Sequence, residues 1–544
     1  MFKQFLFLFG LLSSLITFAQ PSIQWQKCLG GKGIDIAKAI IQTNDGSYLI
    51  AGSTSSIDGN VTKNHDSTGN NSDIWLVKLD NNGNLLWQKC IGGTGGDYAT
   101  SLIKTTDGGY AIAGYTWSTD GDATRLINRY SADYWVIKFS NTDTIQWQKT
   151  YGGYSDDFAS SIYQTSDGGY VVAGLTESHD GDVTKLNGKS DFWVIKIDTV
   201  GILQWQKTYG GSGDDAASSV IQTHDGGYLI AGFTNSPDSD VTGLHLDYFG
   251  DTTSDYWVVK TNDTGAIQWQ KCYGGGFTDN ANQVIQTNDG GYAVAGFSDY
   301  GPDSNGYYKY YDYWILKIDT GGNIQWQNRY GGSDNDMAYS ILQTHDGGYI
   351  ISGSAISDSE QVAGNHGRND YWILKTDATG KMLSGRCFGG SYDDIPYSII
   401  ETNDGGFAAV GSTQSGDGNV KGFHDSCSYN IVLSETMCNP DFWIIKLNPF
   451  PALDESQNIQ SSLVYLYPNP LEKQGTFVIN TDVKDKNATI NIYDVLGQQV
   501  RSLPLIDNAN YVVFNRTELT NGVYFYQLFF NGIPTPTRGK FVIY

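Results

Sequence analysis

Carboxylates recur at constant offsets along this 544-residue sequence, and each series has donor chemistry suited to a cation or a proton. One Asp stands four residues beyond each Gly-Gly pair: Asp35, Asp97, Asp157, Asp215, Asp279, Asp336 and Asp394. A second series precedes an aromatic-Trp pair, or Ile74-Trp75 in the first copy: Asp73, Asp133, Asp191, Asp255, Asp312, Asp370 and Asp441. A third lies in Asp-Gly-Asp or Asp-Gly-Asn runs, among them Asp120, Asp122, Asp180 and Asp182, whose oxygens could coordinate Ca²⁺ although the spacing of an EF-hand is absent. Sevenfold repetition favours structural work for the first two series, because Asp accepts backbone N–H groups in tight loops. The alternative is a ring of carboxylates at a channel mouth that holds a cation.

Hydrolysis of a glycoside needs two non-equivalent carboxylates facing each other across a cleft. Ahead of the C-terminal region only Glu177, Glu360, Glu401 and Glu435 supply glutamates, none within a recognisable motif, and no Ser elbow, zinc pattern or phosphate loop occurs. No catalytic residue is therefore assigned. Departures from the repeat are better guides to a ligand. Tyr300, Tyr307, Tyr308, Tyr310 and Tyr311 crowd one insertion and Tyr248 and Phe249 another, which is equipment for gripping a sugar face or a protein partner, or for packing a long loop onto its neighbour.

The elements that must carry these residues follow from a repeat of about 60 residues. Gln-Trp-Gln-Lys, with Leu86 for the first Gln in one copy and Asn328 for the Lys in another, centres on Trp25, Trp87, Trp147, Trp205, Trp269 and Trp326, with a decayed copy at Leu383-Ser384-Gly385-Arg386. Asp-Gly-Gly-Tyr begins at Asp107, Asp167, Asp225, Asp289 and Asp346, with variants at Asp45 and Asp404; Asp-aromatic-Trp supplies most of the third signature, and thirteen of the fourteen tryptophans belong to the pattern. Alternating, β-branched and aromatic segments separated by Gly-rich turns give four strands per unit. Four strands repeated around an axis form a β-propeller blade. A Gln-Trp-Gln-Lys strand opens the chain and none follows Asp441, so the N-terminal strand is expected to complete the last blade. The expectation is all-β: a seven-bladed propeller over residues 20–447, with a β-solenoid as the alternative. Both tight turns of each blade then share one face, and the variable loops share the other.

Residues 1–19 have the charged start, apolar run and small-residue end of a secretory signal peptide, and no later run is long enough to cross a membrane as a helix. A net charge of −24 argues against nucleic acid. Cys28, Cys90, Cys272 and Cys387 occupy equivalent strand positions and are expected to be small buried hydrophobes, whereas Cys427 and Cys438 flank a unique insertion where a disulfide fits an exported protein. Residues 448–462 read as a linker to a small domain over residues 463–544.

That domain contains Tyr467-Pro468-Asn469-Pro470, Ile492-Tyr493-Asp494-Val495-Leu496-Gly497-Gln498-Gln499-Val500, Leu519-Thr520-Asn521-Gly522-Val523-Tyr524-Phe525 and Gly539-Lys540-Phe541-Val542-Ile543-Tyr544. These motifs resemble the type A sorting domain of type IX secretion. The resemblance implies a small β-sandwich that engages the secretion machinery and takes the protein through the periplasm and outer membrane of a Gram-negative bacterium to the surface or beyond. The repeats resemble propeller-like repeats of passengers of that system, some of which carry an endoglucanase label. The functional expectation is a non-catalytic module that binds a glycan or a surface protein, without a cofactor unless its loops take Ca²⁺. The alternatives are an exported polysaccharide-degrading, endoglucanase-like enzyme and a structural surface component.

Overall fold

The computed structural model describes residues 21–123, 130–246, 250, 252–299, 310–359, 361–425, 427–430 and 435–450, and, towards the C-terminus, 464–467, 474–479, 488–495, 498–505, 511–517, 519–530 and 533–543. The chain divides into two compact units, Met1–Pro451 and Ala452–Tyr544. The described residues contain strands and turns and no helix.

In the first unit the repeat folds as seven four-stranded antiparallel sheets. The first sheet is Asp35–Gln42, Tyr48–Thr54, Asp73–Leu79 and Leu85–Ile91 in spatial order, and five sheets follow in the same way. The last differs: Asp394–Glu401, Phe407–Thr413 and Asp441–Leu447 come from the end of the unit, and the fourth strand is Ile23–Leu29 from its beginning. First strands of successive sheets adjoin, and Asp35–Gln42 adjoins Asp394–Glu401, so they encircle a common axis. The first sheet shares its core with the last, where Ile50, Trp75 and Val77 pack with Val410, Phe442 and Ile444. Asn448 donates its N–H to Ser22 O and Phe450 packs on Phe407, so the body extends a little beyond the expected limit at 447.

The three sequence signatures turn out to be one interlock. Third strands are buried throughout, and Trp193 donates Nε1–H to Gln206 of the Gln-Trp-Gln-Lys strand at 3.0 Å, as Trp135 does to Gln148 and Trp443 to Gln26. The half-buried Trp of that strand donates to a turn of the next sheet, Trp147 to Thr199 O at 3.0 Å, Trp25 to Asn81 O at 3.1 Å and Trp87 to the Asp143 carboxylate at 3.2 Å. The Lys closing each third strand reaches the Asp of Asp-Gly-Gly-Tyr, as in Lys138–Asp107 and Lys196–Asp167, both 2.9 Å. Each motif therefore needs the other two.

Every first strand shifts register against its neighbour two residues after its leading Asp, for instance between Ala159 and Ser161. A Gly faces that bulge from the second strand; a Cβ on Gly174 would collide with the Phe158 carbonyl. Gly174→Ala is expected to cost about 2–4 kcal/mol, read as a lowered denaturation midpoint.

In the second unit, Val464–Tyr467, Gln474–Ile479 and Tyr511–Asn515 form one sheet, and Ala488–Tyr493, Gln499–Pro504, Gly522–Phe530 and Ile533–Ile543 another. Phe477 and Phe514 of the first share a buried cluster with Ile490, Ile492, Leu528 and Phe541 of the second.

Candidate functional site

The repeated aspartates meet in pairs. Asp97 leads the first strand of one sheet and Asp73 the third strand of the sheet before; both are fully buried, and their carboxylates converge on Gly92, where a Cβ would strike both. The same pairing surrounds Gly30 (Asp441 and Asp35), Gly152, Gly210, Gly274, Gly331 and Gly389. This is why the loop leading into each first strand begins with Gly. Asp97 Oδ2 accepts from Gly93 N at 2.8 Å and Ser118 Oγ at 2.7 Å, and Oδ1 from Thr116 Oγ1. Burial outweighs these bonds and pushes Asp35, Asp97, Asp336 and Asp394 up to about 7, and Asp157 and Asp279 to about 6. The first series thus accepts loop N–H groups, as expected of a structural carboxylate.

The Asp-Gly-Asp runs clamp the same loops. Asp120 Oδ1 accepts from Thr94 N at 2.7 Å and Asp122 Oδ2 from Gly92 N at 3.3 Å; Asp180 and Asp182 take Tyr154 N and Gly152 N. Gly121 and Gly181 between them adopt φ of 65° and 66°, which lets the run fold back on itself. These oxygens are engaged by backbone donors. Cys427 and Cys438 are joined in a disulfide, and Cys28, Cys90 and Cys387 are buried while Cys272 is half-buried.

Of the aromatic candidates, Tyr248, Phe249, Tyr300, Tyr307 and Tyr308 lie outside the described residues. Tyr310 is exposed, and Tyr311 packs edge-on to Phe297 with centroids 5.1 Å apart.

The structure instead gathers a different aromatic group at the axial rim of the variable-loop face. Tyr98 and Phe158 follow the leading Asp of the second and third first-strands, where other sheets carry Ile36, Ala216, Asn280, Met337 and Ile395. Tyr98 stacks on Tyr115 at 5.1 Å, and Trp117 meets Tyr115 at 5.4 Å and Phe158 at 5.6 Å. All four rings are half-buried, so their outer faces stay wet. Beside them Glu177 N donates to Asp156 O, and the Glu177 carboxyl is held above its usual range by partial burial and by the charges of Asp156 and Asp214. Lower down the axis, Lys38 Nζ lies 3.3 Å from the centre of the Tyr397 ring, which neighbours Tyr339, while the corresponding positions in the other first strands hold Thr100, Ser160, Ser218 and Asn282. Burial lowers Lys38 to about 8. Trp117 is the one tryptophan outside the repeat, and that was the sequence signal for this rim.

A β-propeller-like body of repeated four-stranded sheets, followed by a separate small all-β unit, defines an exported surface or extracellular protein once that unit is identified. Residues 465–543 match the family model described as the secretion system C-terminal sorting domain, so the chain carries a type IX sorting tail. No helix among the described residues is long and apolar enough to cross a membrane. The chain is 24% identical over 255 residues to the regulatory protein FlaEY of Caulobacter vibrioides, a match covering 45% of this chain and 26% of that protein, so the chain spans about a quarter of that relative. Among solved structures it is similar to the Pan2 WD40 domain of Neurospora crassa (TM-score 0.39, 10% identity, 77% of this chain and 95% of that one). It is similar also to YCF48 bound to a D1 peptide (0.38, 9%, 73% and 96%) and to PorZ, a type IX secretion surface component of Porphyromonas gingivalis (0.25, 8%, 95% and 100%).

Proposed function

We propose that this protein is a non-catalytic glycan-binding module, delivered to the cell surface or medium by its sorting domain, with the ligand seated at the axial rim of the variable-loop face. The reading includes a cleaved signal peptide over residues 1–19, a seven-bladed propeller closed by its N-terminal strand, and a β-sandwich sorting domain that meets the secretion machinery. The observation that carries it is the Tyr98–Tyr115–Trp117–Phe158 group beside Asp156, Glu177 and Asp214. Aromatic faces stack on the C–H faces of pyranose rings, and neighbouring carboxylates accept sugar hydroxyls. Among the described residues the group occurs on one side of the axis only, as suits a ligand site on a repetitive scaffold.

A glycan-array screen of the full mature chain, with and without Ca²⁺, tests this. Specific binding that Trp117→Ala weakens by about tenfold is the expected result, since losing a stacked ring costs roughly 1 kcal/mol or more. Signal lost on chelation would bring Asp120, Asp122, Asp180 and Asp182 back as Ca²⁺ ligands. A blank array in both conditions sinks the glycan reading and favours a protein ligand or a structural surface role. The endoglucanase-like alternative has one observation in its favour, the raised Glu177 carboxyl beside other acids; release of reducing ends from a polysaccharide, abolished by Glu177→Gln, would establish it.

A further inference from the structure

Four of the seven sheets carry a Cys near the end of the fourth strand: Cys90 in the first sheet, Cys272 in the fourth, Cys387 in the sixth, and Cys28 on the N-terminal strand that completes the last. The same four sheets, and no others among the described residues, place a His in the variable loop against the third-strand Asp. His65, His245, His366 and His424 set Nδ1 at 2.6–2.7 Å from Oδ2 of Asp73, Asp255, Asp370 and Asp441. Where the Cys position holds Thr208, the loop supplies Asn187, whose backbone N–H alone reaches Asp191 at 2.8 Å. Docking the loop therefore needs only the backbone donor, and each of the four His residues also gives one, such as His424 N to Asp441 at 3.0 Å. The imidazole is surplus to that task, and it accompanies the thiol in every case.

In the last sheet the three groups converge most closely. Cys28 Sγ lies 3.2 Å from Asp441 Oδ2, and sulfur, imidazole nitrogen and carboxylate oxygen all fall within 4.8 Å of one another. Ligand atoms around one zinc ion stand roughly 3–4 Å apart, given bonds of about 2.0–2.3 Å, so small shifts would complete the set. Asp441 is fully buried, and Oδ2 is the oxygen turned towards Cys28 and His424, while Oδ1 faces Asp35 beside Gly30. The His424 ring is partly exposed, which leaves an approach from solvent. In the first sheet the equivalent Cys90 and His65 line an open groove of about 600 Å³.

We propose that Cys28, His424 and Asp441 form a site for a divalent cation of the zinc class, which staples the N-terminal strand to the last sheet, and that the other three trios are weaker copies of it. Thiolate, imidazole and carboxylate together select a borderline-soft ion rather than Ca²⁺ or Mg²⁺. Binding releases the Cys28 thiol proton to solvent, and the proton between His424 and Asp441 leaves Nδ1, so that the ring ligates as neutral imidazole with its proton on Nε2. Because Cys28 and Asp441 are 413 residues apart, the bond closes the whole body.

The test is a titration of the full mature chain, freed of metal, with Co²⁺ as a spectroscopic substitute, followed by thermal unfolding with Zn²⁺ or with EDTA. The expected result is a thiolate-to-cobalt charge-transfer band, with one equivalent lost in Cys28→Ser and in His424→Asn, and a Zn²⁺-dependent rise in the midpoint that both variants lack. His424→Asn keeps the backbone bond to Asp441, so it reports even if Cys28→Ser fails to fold. Absence of the band in the wild type overturns the proposal; so does a band, or a Zn²⁺ stabilisation, that His424→Asn leaves unchanged.

Discussion

Deleting Ile23–Leu29 is expected to abolish cooperative unfolding of the repeat body, not merely to lower its midpoint. This strand pairs with Asp441–Leu447 from Ile23 opposite Leu447 to Leu29 opposite Phe442, buries Cys28 and Leu29, and accepts the indole N–H of Trp443 through Gln26. Each buried apolar side chain contributes about 1.5–3 kcal/mol and each buried hydrogen bond about 1 kcal/mol, so removing the strand costs on the order of 8–10 kcal/mol. That is comparable to the entire stability of an ordinary domain. The third strand of the last sheet would be left as an apolar edge and would invite aggregation. Circular dichroism and denaturant titration of the deletion variant check this, and a synthetic peptide of the deleted strand should restore the transition where a scrambled one does not. A deletion variant that still unfolds cooperatively within a few degrees of the wild type would show that closure rests on contacts between neighbouring sheets instead.

That strand was legible because of where its motif stands, not what it is. Trp25 precedes every other strand and no partner follows Trp443, so displacement alone announced the pairing. The turns were legible for a similar reason, since Asp-Gly-Gly states its own backbone geometry. What escaped was whatever depends on two sheets meeting. Asp73 and Asp97 lie 24 residues apart in different motifs, and nothing in either series says that they converge on Gly92. The pairing of Cys28 with His424 is hidden in the same way, by a sequence separation of 396. The rim aromatics escaped for another reason. Attention to long insertions favoured Tyr300 and its neighbours, whereas Tyr98 and Phe158 are substitutions within the repeat at a position that is unremarkable until the first strands are seen to surround an axis.

Those buried Asp pairs imply an acid-tolerant protein that loses stability towards alkaline pH. Asp35, Asp97, Asp336 and Asp394 are pushed by burial up to about 7, and Asp157, Asp191, Asp279 and Asp370 to about 6, from an unfolded value near 4. A raised folded value means that the folded state takes up protons the unfolded chain has released. The stabilisation from these groups is therefore complete below about pH 4 and is lost as pH climbs through 6 to 7. Turn aspartates act in the opposite sense. Asp45 is lowered to about 2 chiefly by its bond from Thr43, and Asp107 to about 2 because Thr105 and Lys138 overcome its burial, so their contribution is present above pH 4 and lost only as pH falls towards 2. The two series place the optimum near pH 4. Each proton taken up on folding changes stability by about 1.4 kcal/mol per pH unit, so urea midpoints measured in EDTA should fall steadily from pH 5 to pH 8. Asp97→Asn, which carries no charge to bury beside Asp73, should flatten that fall while leaving the acid limb unchanged. A midpoint that rises from pH 5 to pH 8 would mean that both members of each pair are ionised in the folded protein, and that something positive lies between them.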